Sequence, residues 1–523
     1  MYLTQGLHRS VQQRPNATAI HFDSEARTFA ELGARVARLA GALRQLGVGN
    51  GERVAMLSVN SPRYIEYYMA TPWAGGVLNP LNIRWSASEL LYALNDSGTS
   101  ILIVDETFRD LGLKLAREAA TLRHVIYAGD DDVPEGMLSY ESLIAQSEAV
   151  EDAGRQGDDL AGIFYTGGTT GFPKGVMLSH TNLGVAMLAT LAVGHVVPGT
   201  VFLHAMPMFH LAGFAAINAL LACGGVHVVT PAFTPQTTME AISKHGVNRV
   251  MLAPTMLQMM LDWIDNHPDQ STSLNKSSLT RIMYGASPIS QSLLRRAQKM
   301  FPKAEFVQGY GMTELSPVCA SLGAEYHTDE AYASGKMRAA GRPLMCVEVR
   351  IVDSEDREVP RGTTGEIIVR GPNVMLGYWN LPEATAETLR NGWMHTGDGG
   401  YMDDDGLLYV VDRLKDMIVS GGENIYSAEV ENAISSHPAV AQCAVIGIPN
   451  DRWGESVHAV IVAKPGEAAT AEDIQAHCRE RIAGYKCPRS VEFRESLPIS
   501  PVGKIQKNTL RETFWSNRKR GVA

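Results

Sequence analysis

Residues 165–175, YTGGTTGFPKG, place four glycines, three threonines and one lysine in a single short run. Glycine permits positive φ and close backbone approach, so successive N–H groups can converge on an anion, while Thr166, Thr169 and Thr170 add hydroxyl donors without bulk. Lys174 supplies compensating charge, Pro173 fixes φ just before it, and Phe172 can anchor the loop. The chemistry that suits this pattern is binding of a nucleoside triphosphate. It is not a Walker loop, in which Gly-Lys is followed by Ser or Thr and opens directly into a helix. A Gly/Thr-rich turn after a strand would have the same composition.

Residues 308–314, QGYGMTE, add an aromatic ring, a hydroxyl and a carboxylate in a glycine-flanked turn, suited to stacking on a base, donating to a phosphate and holding magnesium. Residues 395–398, HTGD, set a carboxylate after a turn, where it can accept from both ribose hydroxyls. Asp412 and Arg413 offer a second sugar or phosphate contact. Each of these segments, taken singly, reads as structural more readily than functional.

The elements that must position these residues follow α/β grammar. Residues 28–46 read as an amphipathic helix capped by Thr28, followed by the strand-like RVAMLSV. The alternation recurs at 88–95 before SILIVD, at 235–245 before NRVMLAP and at 290–300 before AEFVQGY. Such alternation predicts largely parallel or mixed sheets with helices on both faces. Residues 211–229 are apolar, but Asn218, His227 and the Gly224-Gly225 break favour a buried helix and strand over a membrane span.

From about residue 341 the pattern changes to VEVRIVD, EIIVRG and LLYVVDR, strands without intervening helices, which predicts a β-rich subdomain at 341–414. A boundary between Leu414 and Lys415 divides the chain into a large N-terminal domain, 1–414, and a small α+β C-terminal domain, 415–523. In the latter, AQCAVIGIP pairs with SVHAVIVAK and residues 471–483 form a helix.

A length of 523 residues, at about 150 per domain, allows several structural units. With 45% hydrophobic and 20% charged residues the composition is that of a globular protein. A net charge of −10 argues against a nucleic-acid surface, so an anionic ligand must be held by local donors. The six cysteines show no zinc or CxxC spacing and read as reduced, mostly buried thiols. The N-terminal residues lack the apolar core of a signal peptide, which makes a cytoplasmic location the expectation.

Taken in order, YTGGTTGFPKG, YGASP, QGYGMTE, HTGD, DRLKDMIVSGGENIY and PVGKIQK resemble the adenylate-forming superfamily of acyl-CoA synthetases, luciferases and peptide-synthetase adenylation domains. The resemblance spans essentially the whole chain and is strongest to fatty acyl-CoA and 4-coumarate-type CoA ligases. It implies that a carboxylate attacks the α-phosphorus of ATP, giving an acyl-adenylate and pyrophosphate, and that a CoA thiol then displaces AMP.

By the same resemblance, Lys504 reaches over the carboxylate and α-phosphate. Thr166, Gly167, Gly168, Thr169, Thr170 and Lys174 hold the β- and γ-phosphates. Gly285, Ala286, Ser287 and Tyr310 frame the adenine, with Gln308, Gly309, Gly311 and Met312 in the same motif. Thr313 touches the α-phosphate, Glu314 holds Mg2+, and Asp398 and Arg413 take the ribose. Lys415 is the hinge about which the C-terminal domain turns, withdrawing Lys504 and bringing Ser420, Gly421 and Gly422 to the pantetheine tunnel. His210 matches the residue at the junction of acyl pocket and tunnel, although a lone histidine in an apolar run also reads as a core residue. Phe209, Leu211, Gly213, Pro317 and Val318 are the candidates for the acid pocket.

Two departures stand out. Gly167 replaces a serine common in relatives, removing one hydroxyl from the phosphates. Ser427 replaces the proline that commonly follows ENIY, which would loosen the CoA-side loop. The expected activity is ATP-dependent ligation of a fatty or arylpropenoic acid to CoA. The rivals are an adenylating enzyme without CoA transfer, either luciferase-like or an acyl-AMP ligase, and a nonenzymatic nucleotide-binding scaffold. The acid and any homo-oligomeric state stay open.

Overall fold

Thr28 ends a short strand and caps the helix Phe29–Gln45: its hydroxyl accepts from the Glu31 N–H, and the Glu31 carboxylate accepts from the Thr28 N–H at 2.7 Å. This is one of the local signals that fix the α/β alternation in the computed structural model of the chain. The residues described are 1–166, 173–287, 289–421, 423–499 and 505–515, with the backbone alone at Lys415 and Asn424.

Among the described residues the chain forms four sheets. One, of eight strands, runs Gly377–Tyr378, Lys174–Ser179, Leu160–Thr166, Val77–Pro80, Arg53–Leu57, Ile101–Val104, His124–Tyr127, Leu138–Ser139. It is parallel from Leu160–Thr166 onward and antiparallel at the edge that carries Lys174. A second, of nine strands, has a parallel centre in which Val201–His204, Arg249–Leu252, Arg281–Gly285 and Glu305–Tyr310 are successive neighbours. Strands such as Ile101–Val104 are buried along their whole length, as a sheet covered on both faces requires. Helices Phe29–Gln45, Pro62–Ala74 and Leu211–Cys223 contribute to the core shared by the two sheets, where Tyr64, Tyr67, Tyr68 and Phe214 are fully buried. Residues 211–229 are the expected buried helix and strand, and among the described residues no helix is long and apolar enough to cross a membrane.

The third sheet contains Glu348–Val352, Gly365–Arg370 and Leu408–Arg413, as expected, but two elements were not anticipated. The helix Pro382–Thr388 interrupts the run of strands, and HTGD lies inside the strand Trp393–Met402 rather than after a turn. Its glycine-rich composition is that of a turn; pairing with Gly365–Arg370 on one side and Leu408–Arg413 on the other overrides this local preference. In the fourth sheet Val440–Asn450 pairs with Gly454–Ala463, flanked by helices Ser427–Ser435, Ala471–Arg479 and Lys507–Trp515. The six cysteines are free.

Candidate active site

Thr166 and Lys174 are register partners on antiparallel strands. The candidates Gly167, Gly168, Thr169 and Thr170 between them lie outside the described residues, as do Gly422 and Lys504. The Lys174 ammonium stands over the ring of Tyr378, 5.0 Å from its centroid, a contact worth about 0.5–1 kcal/mol when exposed. The Tyr378 hydroxyl donates to Glu314 Oε1 at 2.9 Å. Burial and that carboxylate hold the Tyr378 phenol well above its ordinary range, so it remains a donor. Tyr378 therefore joins the candidate phosphate lysine to the candidate magnesium carboxylate. Sequence reasoning missed it, because the strand Gly377–Tyr378 has two residues and shows only an aromatic pair after glycine. Asp96 was missed as well: its carboxylate accepts from Tyr165 at 2.6 Å and its carbonyl from Trp379 Nε1 at 2.8 Å, fastening the lysine-bearing hairpin to the segment after Tyr378.

The second group sits at the ends of the nine-stranded sheet. Gly285 and Gly309 face each other on parallel strands, and a Cβ on Gly285 would come within 2.5 Å of the Gly309 carbonyl oxygen. Gly311 is equally constrained, since a Cβ there would lie 2.2 Å from the Pro317 carbonyl oxygen. Ala286, with φ of 67°, occupies the left-handed region, which costs a non-glycine residue about 1 kcal/mol and is common at functional sites. Ser287 follows it. Gln308 and Tyr310 are opposite Leu322 and Ala320, and Met312 leads into the turn Thr313–Leu315 that carries Glu314.

Tyr310 donates its hydroxyl to Asp398 Oδ2 at 2.8 Å, and Arg413 Nε lies 3.4 Å from Asp398 Oδ1. Asp398 and Arg413 are cross-strand partners, so the strand that sequence reasoning missed is what brings them together. Desolvation and the Asp398 carboxylate push the Tyr310 phenol far up, keeping it protonated. Asp412 is turned away from this pair. It is buried on the opposite side of its strand from Arg413 and accepts, through Oδ2, from the Ser427 N–H at 2.6 Å and the Ser427 hydroxyl at 2.5 Å. Lys507 Nζ donates to the Ser427 hydroxyl oxygen at 2.5 Å and lies 2.8 Å from Glu431 Oε1. Proline has no N–H to donate, so Ser427 tightens this junction instead of loosening it.

His210 caps the helix Leu211–Cys223, with Nδ1 accepting from the Ala212 N–H at 3.4 Å. Phe209 and Leu211 are buried beside it, and Gly213 packs against the backbone of Pro207 and Met208. Pro317 and Val318 follow the left-handed Ser316, with the Val318 side chain close to Gly309. Lys415 lies in the turn Leu414–Asp416. Ser420 ends the strand Ile418–Ser420 of the fourth sheet and Gly421 follows it in a turn, where its N–H donates to the Trp453 carbonyl at 2.8 Å; among the described residues no hydrogen bond joins them to the nucleotide candidates. One carboxylate, Glu314, faces the candidate phosphate lysine across Tyr378, and no cluster of three or more metal-ligating side chains occurs among the described residues. A Mg2+ ion that keeps waters and substrate phosphates needs only one or two protein carboxylates, so Glu314 fits that role.

The chain belongs to the AMP-binding enzyme family, whose model matches residues 7–379, and residues 429–504 match the model of the AMP-binding enzyme C-terminal domain. It is 41% identical over 512 residues to a feruloyl-CoA synthase of an Amycolatopsis species, covering 97% of this chain and 98% of that protein. The fold is similar to that of ATP-bound MatB from Rhodopseudomonas palustris, with a TM-score of 0.87 and 32% identity over 99% of this chain and 100% of that one. It is also similar to that of o-succinylbenzoate CoA synthetase from Bacillus subtilis in complex with its acyl-adenylate intermediate, with a TM-score of 0.82, 31% identity and 97% of each chain covered.

Proposed function

We infer that the protein is an acid:CoA ligase that activates a carboxylic acid with ATP through an acyl-adenylate and transfers it to CoA, releasing AMP and pyrophosphate. The observation that carries this reading is the Tyr310–Asp398–Arg413 constellation at the sheet ends, within a chain whose family and relatives are adenylate-forming. Asp398 would accept from the ribose hydroxyls, and Arg413 would hold that carboxylate in place. Lys174 would meet the outer phosphates, and Glu314, oriented by Tyr378, would hold Mg2+, which when bound neutralises phosphate charge. Lys504 would neutralise the acid carboxylate and the α-phosphate as they are brought together.

The C-terminal domain is assigned to residues 415–523, with Lys415 as hinge and Ser420, Gly421 and Gly422 on the thiol side. The substrate is proposed to be a hydrophobic acid, fatty or arylpropenoic, entering beside His210 between Phe209, Leu211, Gly213, Pro317 and Val318. The test is pyrophosphate release with acetate, octanoate, palmitate, benzoate and ferulate, each with and without CoA. Release that requires both ATP and acid, with thioester formed only when CoA is present, is expected. Acyl-AMP accumulating in the presence of CoA would remove the thiol step.

A further inference from the structure

The strand Val201–His204 turns Phe202 and His204 to one face, where their rings lie 5.1 Å apart. His227, the register partner of Phe202 on the neighbouring parallel strand Val226–Val229, stacks on His204, with His204 Nε2 3.0 Å from His227 Nδ1. Both rings are buried, and burial drives each far below the ordinary histidine range, so the pair is neutral at pH 7. His204 also borders a narrow apolar pocket with Phe202, Met206, Ala212, Gly213 and Met251. Ala212 and Gly213 belong to the first turn of the helix capped by His210, so this pocket lies beside the residues assigned to the acid. Asn60 fixes the segment: its Nδ2 donates to the carbonyls of His204 and Met206 at 3.2 and 3.0 Å, and its Oδ1 accepts from the Met208 N–H at 2.7 Å.

Two neutral imidazoles that share one N···N contact have two outer nitrogens, one bearing hydrogen and one bare. His227 Nε2 is buried without a hydrogen-bond partner. A hydrogen on this enclosed nitrogen would be an orphaned donor, whereas the outer nitrogen of His204 belongs to a ring that lines the pocket and can meet a bound group there, so the favoured arrangement leaves His227 Nε2 bare. His227 then donates through Nδ1 to His204 Nε2, and His204 carries its own hydrogen on Nδ1. That nitrogen has no hydrogen-bond partner among the described residues, although its ring borders the pocket.

We propose that His204 Nδ1–H is a donor to an oxygen at the end of the acid substrate remote from its carboxylate, which makes the preferred acids those with a keto, ether or hydroxyl oxygen there. This rests on the acid:CoA ligase reading and adds the selective contact that apolar walls cannot supply. A hydrophobic pocket discriminates weakly between analogues, whereas a buried donor left without its acceptor discriminates strongly.

The test uses the full chain and pairs of acids that differ by one oxygen: cinnamate against 4-methoxycinnamate, and octanoate against 7-oxooctanoate. The wild type should favour the oxygenated member of at least one pair by about tenfold or more in kcat/KM, chiefly through KM. His204→Phe, which keeps a ring, should bring that ratio close to one while the KM for ATP is unchanged. His204→Gln, which keeps an N–H donor, should recover part of it. A preference that survives in His204→Phe, or its absence from both wild-type pairs, overturns the proposal. If His204→Phe does not fold, wild-type protein labelled with 15N-histidine answers the same question: the oxygenated acid should move the His204 Nδ1 resonance more than its partner does, and equal responses overturn the proposal. No turnover with any acid would overturn the ligase reading and this one with it, whereas turnover blind to the added oxygen overturns this one alone.

Discussion

Tyr310 and Asp398, 88 residues apart in the chain, are joined by a 2.8 Å hydrogen bond in which the phenol donates to the carboxylate. With Arg413 at 3.4 Å on the other oxygen, the carboxylate is held from two sides. A hydrogen bond to a charged group is worth about 1.5–3 kcal/mol. Tyr310→Phe, which leaves the buried Asp398 short of one donor, should therefore lower the melting temperature measurably and raise the KM for ATP by about tenfold or more. Titrating ATP in the pyrophosphate assay checks this, and an unaltered KM would remove Tyr310 from nucleotide positioning.

Lys504→Ala should slow adenylation by about a hundredfold or more, the size of effect seen when a donor to transition-state charge is removed. Thioester formation from supplied acyl-adenylate should persist. Measuring the half-reactions separately decides the matter, since equal losses in both would contradict a role confined to the first.

Two glycines on adjacent strands should respond differently to alanine. A Cβ on Gly309 would have the Val318 side chain, at 3.7 Å, as its nearest neighbour, whereas one on Gly285 would meet a backbone oxygen at 2.5 Å. Gly309→Ala should keep the parent melting temperature and lose activity selectively with bulky acids. Gly285→Ala should lose stability and nucleotide affinity together. Indistinguishable variants would refute this account of the strand pair.

Ser427→Pro removes both donors to Asp412 and the acceptor used by Lys507. Leaving buried polar groups unsatisfied costs about 1–3 kcal/mol each. The urea midpoint should fall accordingly, and Ser427→Ala, which keeps the N–H, should lie between the proline variant and the wild type. A midpoint unmoved by proline would show that the junction does not depend on this serine.

Burial lowers His204 from 6.5 to about 3 and is the leading cause of the fall of His180, His195 and His327 from 6.5 to about 4. The unfolded chain binds protons at these positions below pH 6.5 while the folded chain does not. Stability should therefore fall as pH drops from about 6.5 toward 4, by at most about 1.4 kcal/mol per pH unit for each group, and these groups should add no dependence above that range. Denaturant titrations at pH 7.5, 6 and 5 measure the slope, and a flat profile would contradict the burial of these rings.

Much of the architecture was legible because helix caps and β-branched runs are local signals. Thr28 with Glu31, and the apolar ILIV of Ile101–Val104, carry their own structure. HTGD was not legible as a strand, because what makes it one is pairing with residues far along the chain on both sides. For the same reason the motifs named Tyr310, Asp398, Lys174 and Glu314 as candidates, while Tyr378, which links the last two, carries no motif of its own. Ser427 was read as a weakness because the proline that it replaces suggested rigidity; its donors become visible only once Asp412 is placed beside it.

Because Thr166 and Lys174 are locked rung to rung, the strand pair fixes how far apart the residues flanking 167–172 stand. Exchanging those six residues for an equally long segment from another nucleotide-using enzyme should leave both strands in register, so a difference in triphosphate grip among such hybrids would report on the inserted sequence alone.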